Sequence, residues 1–205
     1  DLPFGEMQSY FPWHCTFLND ANAGAFAEGI GSDLPSSFFY LSLSNTVGGA
    51  IFHDGNLLPG DAFRCGEAGH MTLIPDGKPC YCGKTGCVDA YCSARVLSDL
   101  SGGRLEDFFL GLQQNNPDYR SVWDTYLKHL AVVINNLHMI LDYDIVLGGY
   151  VGSFLTPWLD TIRHLVAERN TFEDDGSFVK LCTYQTGAAA YGAAMDVMEE
   201  FLRTV

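Results

Sequence analysis

The stretch that decides the fold is Gly66–Ser93, GEAGHMTLIPDGKPCYCGKTGCVDAYCS. It crowds Cys80, Cys82 and Cys87 into one short segment, with His70 ahead of them. One imidazole nitrogen and three thiolates form the tetrahedral set that zinc prefers, and four protein ligands close a site so that it is structural rather than catalytic. Gly83 and Gly86 let a short chain fold back until its sulfurs converge. The Cys-x-Cys-x4-Cys spacing is not the usual CxxC knuckle, and three reduced cysteines in a metal-free loop is the competing reading. Free thiols at this density favour the metal. By itself His70 reads as a satisfied core histidine; its place ahead of the cysteines makes it a ligand. A metal here would brace an irregular loop that lacks a core of its own.

Around this loop the chain is globular and acidic. Its 205 residues include 11 Lys and Arg against 25 Asp and Glu, a formal charge of −14. A nucleic-acid surface needs cations to displace counterions from phosphates, so this chain by itself is expected to repel DNA and RNA, and anionic membrane is disfavoured for the same reason. No apolar run approaches the roughly 18 residues of a membrane span, and the start at Asp1 shows neither the basic stretch nor the apolar core of a signal peptide. Seven cysteines is an odd number, which argues against a secreted disulfide framework. Cys15, Cys65, Cys92 and Cys182 read as buried free thiols in a reducing cytoplasm.

The rest of the chain alternates helical and strand patterns. Residues 19–29, NDANAGAFAEG, read as a helix that Asn19 or Asp20 can cap. FFYLSL at 38–43 reads as a buried strand. Residues 48–58 carry strand-like runs on both sides of Asp54-Gly55, a hairpin signal because Gly55 can take a positive φ. Residues 59–87, rich in Gly, Pro and Cys, read as irregular. Trp123, Tyr126, Leu127, Leu130, Ile134, Leu137 and Leu141 mark one face of a helix over 119–141, a stripe that serves core or interface equally well. A strand at 144–147, a helix over 155–169, a strand at 178–182 and an Ala-rich helix over 188–203 complete an α/β pattern.

The string GEAGHM…PDG..C.CG..GC.D resembles the signature of the ROK family (repressors, open reading frames and sugar kinases). Four further segments resemble that family in the family's order, among them the strand and hairpin at 38–58, which are similar to its second phosphate segment. LNDANAGAFAE is similar to its sugar-binding segment, IVLGGYVG to its adenosine segment and TGAAAYGAAM to its C-terminal helix. The resemblance implies an α/β actin-like ATPase fold of the ribonuclease H-like kind, mainly its C-terminal lobe, with a zinc-stabilised loop. It implies one domain over residues 1–205, truncated at the N-terminus, so that the first lobe and any winged helix are missing. His70, Cys80, Cys82 and Cys87 then hold zinc. Asn19, Asp20, Glu67, His70 and the acid after Cys87, here Asp89, contact a sugar through carboxylate and amide hydrogen bonds. Asp89 stands where the family mostly has Glu, one methylene longer. Capping competes for Asn19 and Asp20.

The resemblance is weaker on the nucleotide side. Family kinases have Gly-Thr-Gly where the backbone must approach phosphates; this chain has Ser44-Asn45-Thr46, and Tyr150 replaces a glycine of the adenosine segment. Side chains there block close approach and remove the N–H cradle. Gly48, Gly49, Gly148 and Gly149 remain as remnants, with tight packing as their bland explanation. The reading that follows is the sugar-binding effector domain of a ROK transcriptional regulator. It touches DNA only through a missing winged helix, self-associates as a dimer or tetramer, and binds a small-molecule sugar. The alternative is a ROK sugar kinase, with Asp20 as general base on the sugar hydroxyl and Mg-ATP as cofactor.

Overall fold

The computed structural model describes residues 3–13 and 15–204. A short helix α1 (Phe4–Gln8) leads to α2 (Asp20–Gly31), and then to the strands β1 (Phe38–Leu43), β2 (Val47–His53) and β3 (Asn56–Leu58). After a long irregular segment come α3 (Asp89–Cys92), α4 (Arg95–Ser98), α5 (Leu105–Gln113) and the longest helix, α6 (Pro117–Leu141). Strand β4 (Asp144–Gly148) runs directly into α7 (Gly149–Gly152). Helix α8 (Leu159–Ala167), strand β5 (Val179–Leu181) and helix α9 (Ala188–Thr204) follow.

The strands form one mixed sheet in the order β3-β2-β1-β4-β5. β1 pairs antiparallel with β2, from Phe38 opposite Phe52 to Leu43 opposite Val47, and parallel with β4, from Phe38 beside Asp144 to Ser42 beside Gly148. All six residues of β1 are buried because both faces of the sheet are covered. Phe38 and Tyr40 point to a core with Ala25 and Phe26 of α2, Phe52 and Val146, against which Met195 of α9 packs. Phe39, Leu41 and Leu43 point to a larger core filled by α5, α6 and α8 through residues such as Phe108, Trp123, Leu130 and Ile162. The period-2 alternation of the strand thus decides which residue serves which layer.

The local signals in the sequence act where expected. Asn19 is the N-cap of α2, its Oδ1 accepting from the N–H groups of Ala21 and Asn22 at 2.9 and 3.2 Å. Asp54 (φ 47°) and Gly55 (φ 79°) turn the β2–β3 hairpin. Trp123, Tyr126, Leu127, Leu130, Ile134 and Leu137 of α6 are buried in the larger core, so the stripe serves packing within the chain. The helix expected over 155–169 is shorter: Pro157 sits in a 3-10 turn over Thr156–Trp158, and α8 begins only at Leu159. Cys92 and Cys182 are buried free thiols, but Cys15 and Cys65 are only half-buried, because both lie in segments without a packed face. No helix among the described residues is long and apolar enough to cross a membrane.

Candidate functional site

The irregular segment at 59–87 holds its shape by backbone hydrogen bonds rather than by a core. The Leu73 N–H donates to Gly86 O at 2.7 Å, Cys80 N–H to Lys84 O at 2.8 Å, Gly86 N–H to Lys78 O at 2.8 Å and Val88 N–H to Met71 O at 2.9 Å. These crossings bring the side chains of His70, Cys80, Cys82 and Cys87 together, with their ligand atoms all within 4.8 Å of one another, so the four could hold a metal ion. His70 Nδ1 faces Cys80 Sγ at 4.0 Å, and the Cys82 and Cys87 sulfurs are 3.7 Å apart. Burial, followed by hydrogen bonds with the neighbouring Cys82 and Cys80 thiols, pushes the Cys87 thiol up to about 12, whereas the Lys84 backbone N–H draws the Cys82 thiol below its ordinary range. The Cys87 thiol therefore holds its proton until a cation arrives to displace it.

The second nitrogen of His70 has its own partner. Nε2 lies 3.2 Å from the Tyr81 hydroxyl, and the two rings meet edge to face. With a metal on Nδ1, Nε2 would carry the hydrogen and donate it to the Tyr81 oxygen. Sequence reasoning passed over Tyr81; its place between two of the cysteines was the available signal.

Two groups of the expected site residues flank the start of β2 from different sides. Gly69 lies so close to the Val47 carbonyl that an added Cβ would stand 2.1 Å from its oxygen, which seats the Glu67–His70 turn on the strand. Asp89, the first residue of α3, is buried, and its Oδ1 accepts from the Val47 N–H at 2.7 Å. From the other side, Ala21 of α2 packs on Gly48, where a Cβ would lie 3.2 Å from that of Ala21. The helix that begins with Asp20 thus meets β2 at Gly48, the residue after the one that Gly69 and Asp89 contact. Asn19 spends its carbonyl oxygen on the helix cap, and Asp20 Oδ1 accepts from the N–H of Ala21 at 2.9 Å.

Asp20 lines a narrow cleft of about 120 Å³ with Tyr40, Ser42, Ser44, Gly149, Tyr150, Gln185, Thr186, Ala188 and Ala189; Glu67, His70 and Asp89 are outside it. Ser42, Gln185 and Thr186 were not foreseen; the polar run Thr183–Thr186 just ahead of the Ala-rich helix was the signal. At Tyr150 and Thr186 the cleft meets a second pocket of about 290 Å³, with Asn45, Ala94, Leu105 and Phe154 in its wall. The four glycines expected as nucleotide remnants are all closely packed. Gly149 has φ 76° and lies against Leu43 and the Ser44 hydroxyl, and Gly49 lies against Phe39 and the Gly66 carbonyl. Gly148 faces the Tyr40 hydroxyl.

Glu28 fixes the geometry of this cleft from behind. Its Oε1 accepts from the N–H groups of Thr183 and Tyr184 at 2.7 and 2.9 Å, tying α2 to the segment that carries Gln185 and Thr186. Oε2 is buried with no partner among the described residues, and burial raises the carboxyl pKa despite the opposing hydrogen bonds from Tyr184 and Thr183.

The family model described as the ROK family matches residues 4–200. The N-acetylmannosamine kinase of Escherichia coli O7:K1 is 32% identical over 194 residues, which cover 90% of this chain and 65% of that protein. Across the curated relatives it matches, the chain spans about half to two thirds of their length. Among solved structures, a ROK family glucokinase from Streptomyces griseus in complex with glucose and AMPPNP matches with a TM-score of 0.74 at 21% identity, over 93% of this chain and 70% of that one. A ROK family transcriptional regulator, a homolog of the E. coli MLC protein, matches with a TM-score of 0.71 at 21% identity, over 93% of this chain and 54% of that one. The mixed sheet with helices on both faces is thus the actin-like fold of ROK sugar kinases, and the chain belongs to the ROK family.

Proposed function

We propose that this chain carries the substrate-handling face of a ROK sugar kinase that transfers a phosphoryl group from Mg-ATP to a hexose or N-acetylhexosamine. The observation that carries the reading is the position of Asp20 in a hydroxyl-lined cleft that shares Tyr150 and Thr186 as wall with a second pocket of about 290 Å³. A carboxylate at that place suits a general base on a sugar hydroxyl. The neighbouring pocket suits the nucleotide end of the donor, and positioning with electrostatic clamping supplies most of the remaining catalysis. Asn19, Glu67 and His70 are assigned to the sugar, and zinc to His70, Cys80, Cys82 and Cys87, where it braces the loop and aims His70. The sequence by itself ranked a sensor ahead of an enzyme; the relatives named as N-acetylmannosamine kinase and glucokinase reverse that order.

A specific observation keeps a regulator's effector domain as the second reading. Ser44 replaces a glycine, and its hydroxyl fills the space next to Gly149, 2.7 Å from where a Cβ would sit. That narrows the phosphate approach, and a regulator homolog shares the fold. A coupled phosphorylation assay on the full-length protein with glucose, N-acetylglucosamine and N-acetylmannosamine separates the two. Turnover that falls about 10²- to 10⁴-fold in Asp20→Asn supports the kinase and its base. Sugar binding by calorimetry without turnover, and without ATP-Mg affinity, supports the regulator. Unchanged turnover in Asp20→Asn removes the assignment of the base.

A further inference from the structure

A second group of metal-type ligands lies far from the cleft, at the opposite end of β4 from Gly149. His138, near the end of α6, is 8% exposed at its side chain and stacks flat on Phe178, with ring centroids 3.6 Å apart and planes 6° apart. Its Nδ1 lies 2.8 Å from the backbone carbonyl of Tyr143. A carbonyl oxygen only accepts, so Nδ1 carries a hydrogen, and Nε2 is the ring atom left to face outward. Nε2 in turn faces Glu173 Oε2 at 3.3 Å. That contact is closed either by a hydrogen on Nε2 or by a cation shared between the nitrogen and the carboxylate. Asp142 supplies a third group: its N–H donates to His138 O, it holds φ 56° at the end of α6, and its carboxylate falls within 4.8 Å of the other two ligand atoms.

The surroundings are built to hold this arrangement. Asn170 Oδ1 accepts from the N–H groups of Phe172 and Glu173 at 2.7 and 2.9 Å, which fixes the turn presenting Glu173. The nearby cation, Lys180, is engaged elsewhere, 3.8 Å from Asp144 and donating to Ser177 O at 2.7 Å. Among the described residues, no Lys or Arg forms an ion pair with Asp142 or Glu173.

We propose that His138 Nε2 and the carboxylates of Asp142 and Glu173 bind a divalent transition-metal ion such as Zn²⁺, Co²⁺ or Mn²⁺. The ion clips the end of α6 to the 170–178 connection. A histidine that donates its other N–H to a backbone carbonyl is the arrangement that orients a metal ligand and fixes its tautomer. Metal–ligand bonds of about 2.1 Å in a tetrahedron place ligand atoms about 3.4 Å apart. The His138–Glu173 pair already stands at 3.3 Å, so binding requires only that the exposed Asp142 side chain close in. One nitrogen with carboxylate oxygens suits borderline and harder ions, whereas the cysteine cluster is thiophilic, so the two sites differ in chemistry.

The test is Co²⁺ titration of the purified chain, read by absorption and by bound metal after dialysis, with circular dichroism as the folding control. The parent is expected to bind a second equivalent without thiolate charge-transfer absorption. Glu173→Gln and Asp142→Asn, both away from the core and the second compatible with the left-handed conformation, are expected to lose that equivalent while keeping the thiolate band. His138→Gln is expected to behave likewise if it folds. A parent that binds only thiolate-ligated metal overturns the proposal and leaves a protonated His138 paired with Glu173. Retention of the second equivalent in Glu173→Gln and Asp142→Asn overturns it as well.

Discussion

Asp89 provides the sharpest test of how the cysteine loop acts on the rest of the chain. The resemblance to the family makes it a sugar contact, yet its Oδ1 lies 2.7 Å from the Val47 N–H and the residue is buried. If its main role is to latch α3 to the first residue of β2, Asp89→Ala leaves that N–H without its acceptor. Loss of a hydrogen bond to a charged group is worth about 1.5–3 kcal/mol. For a chain of this size that lowers Tm by about 2–4 °C per kcal/mol, or roughly 3–12 °C in all. Asp89→Asn retains an oxygen at the same place and is expected to cost about 1 kcal/mol or less. Thermal unfolding of the three proteins by circular dichroism reads this directly, and calorimetry with a bound sugar reads the other role. The latch predicts a large Tm drop in Asp89→Ala and near-parent Tm and sugar affinity in Asp89→Asn. An unchanged Tm in Asp89→Ala together with lost sugar affinity in both variants would refute it and restore the sugar contact.

Three other perturbations address other parts of the same framework. Gly149→Ala forces a Cβ onto a residue at φ 76° and to within 2.6 Å of Leu43 N, so a loss of about 2 kcal/mol or more is expected in denaturant unfolding. Glu28 has its pKa raised by burial; the folded state therefore holds the proton more tightly than the unfolded one, and the associated stability is present at acid pH and lost as pH rises through the raised pKa. The parent should thus lose stability relative to Glu28→Gln as pH climbs above about 4.5, and a gap that stays constant with pH would contradict the linkage. Metal loading of the cysteine cluster should release protons, because Cys87 is held protonated in its absence; isothermal titration in buffers of different ionisation enthalpy measures this, and proton-free binding would exclude Cys87 as a ligand.

The regular elements were legible because each depends on a local signal that its surroundings reinforce. The β1 sequence FFYLSL is apolar on both faces and lies inside the sheet, and Asp54-Gly55 supplies the positive φ values that its hairpin needs. The α6 stripe reads correctly because its spacing and its burial are the same pattern. Short helices such as α3 and α4 were not legible, since four residues carry no period. The cysteine cluster was legible as residue types, but the partner of His70 Nε2 was not, because Tyr81 reaches it through the fold of the loop. Nor could spacing reveal that Asp89 turns towards Val47, forty-two residues earlier in the chain, or that Glu28 reaches the Thr183–Tyr184 backbone behind the cleft.

These long-range contacts change what the metal loop is expected to control. The loop grips Val47 of β2 from two directions, through Gly69 on its carbonyl and through Asp89 on its N–H, and meets the strand again where Gly66 lies against Gly49. Just beyond α3, the Ala94 N–H donates to Ser44 O at 2.8 Å, which ties the loop's exit to the turn between β1 and β2. The Tyr126 hydroxyl donates to Cys92 O at 2.6 Å and anchors the same exit to α6. Residues 44–47 are therefore held at both ends by groups that follow directly from the cysteine cluster. A disturbance of the cluster cannot displace the Glu67–His70 turn without also moving the chain beside Ser44. Metal removal should consequently weaken sugar and nucleotide affinity together, rather than sugar affinity alone, and the ratio of the two losses measures how stiffly Val47 couples them.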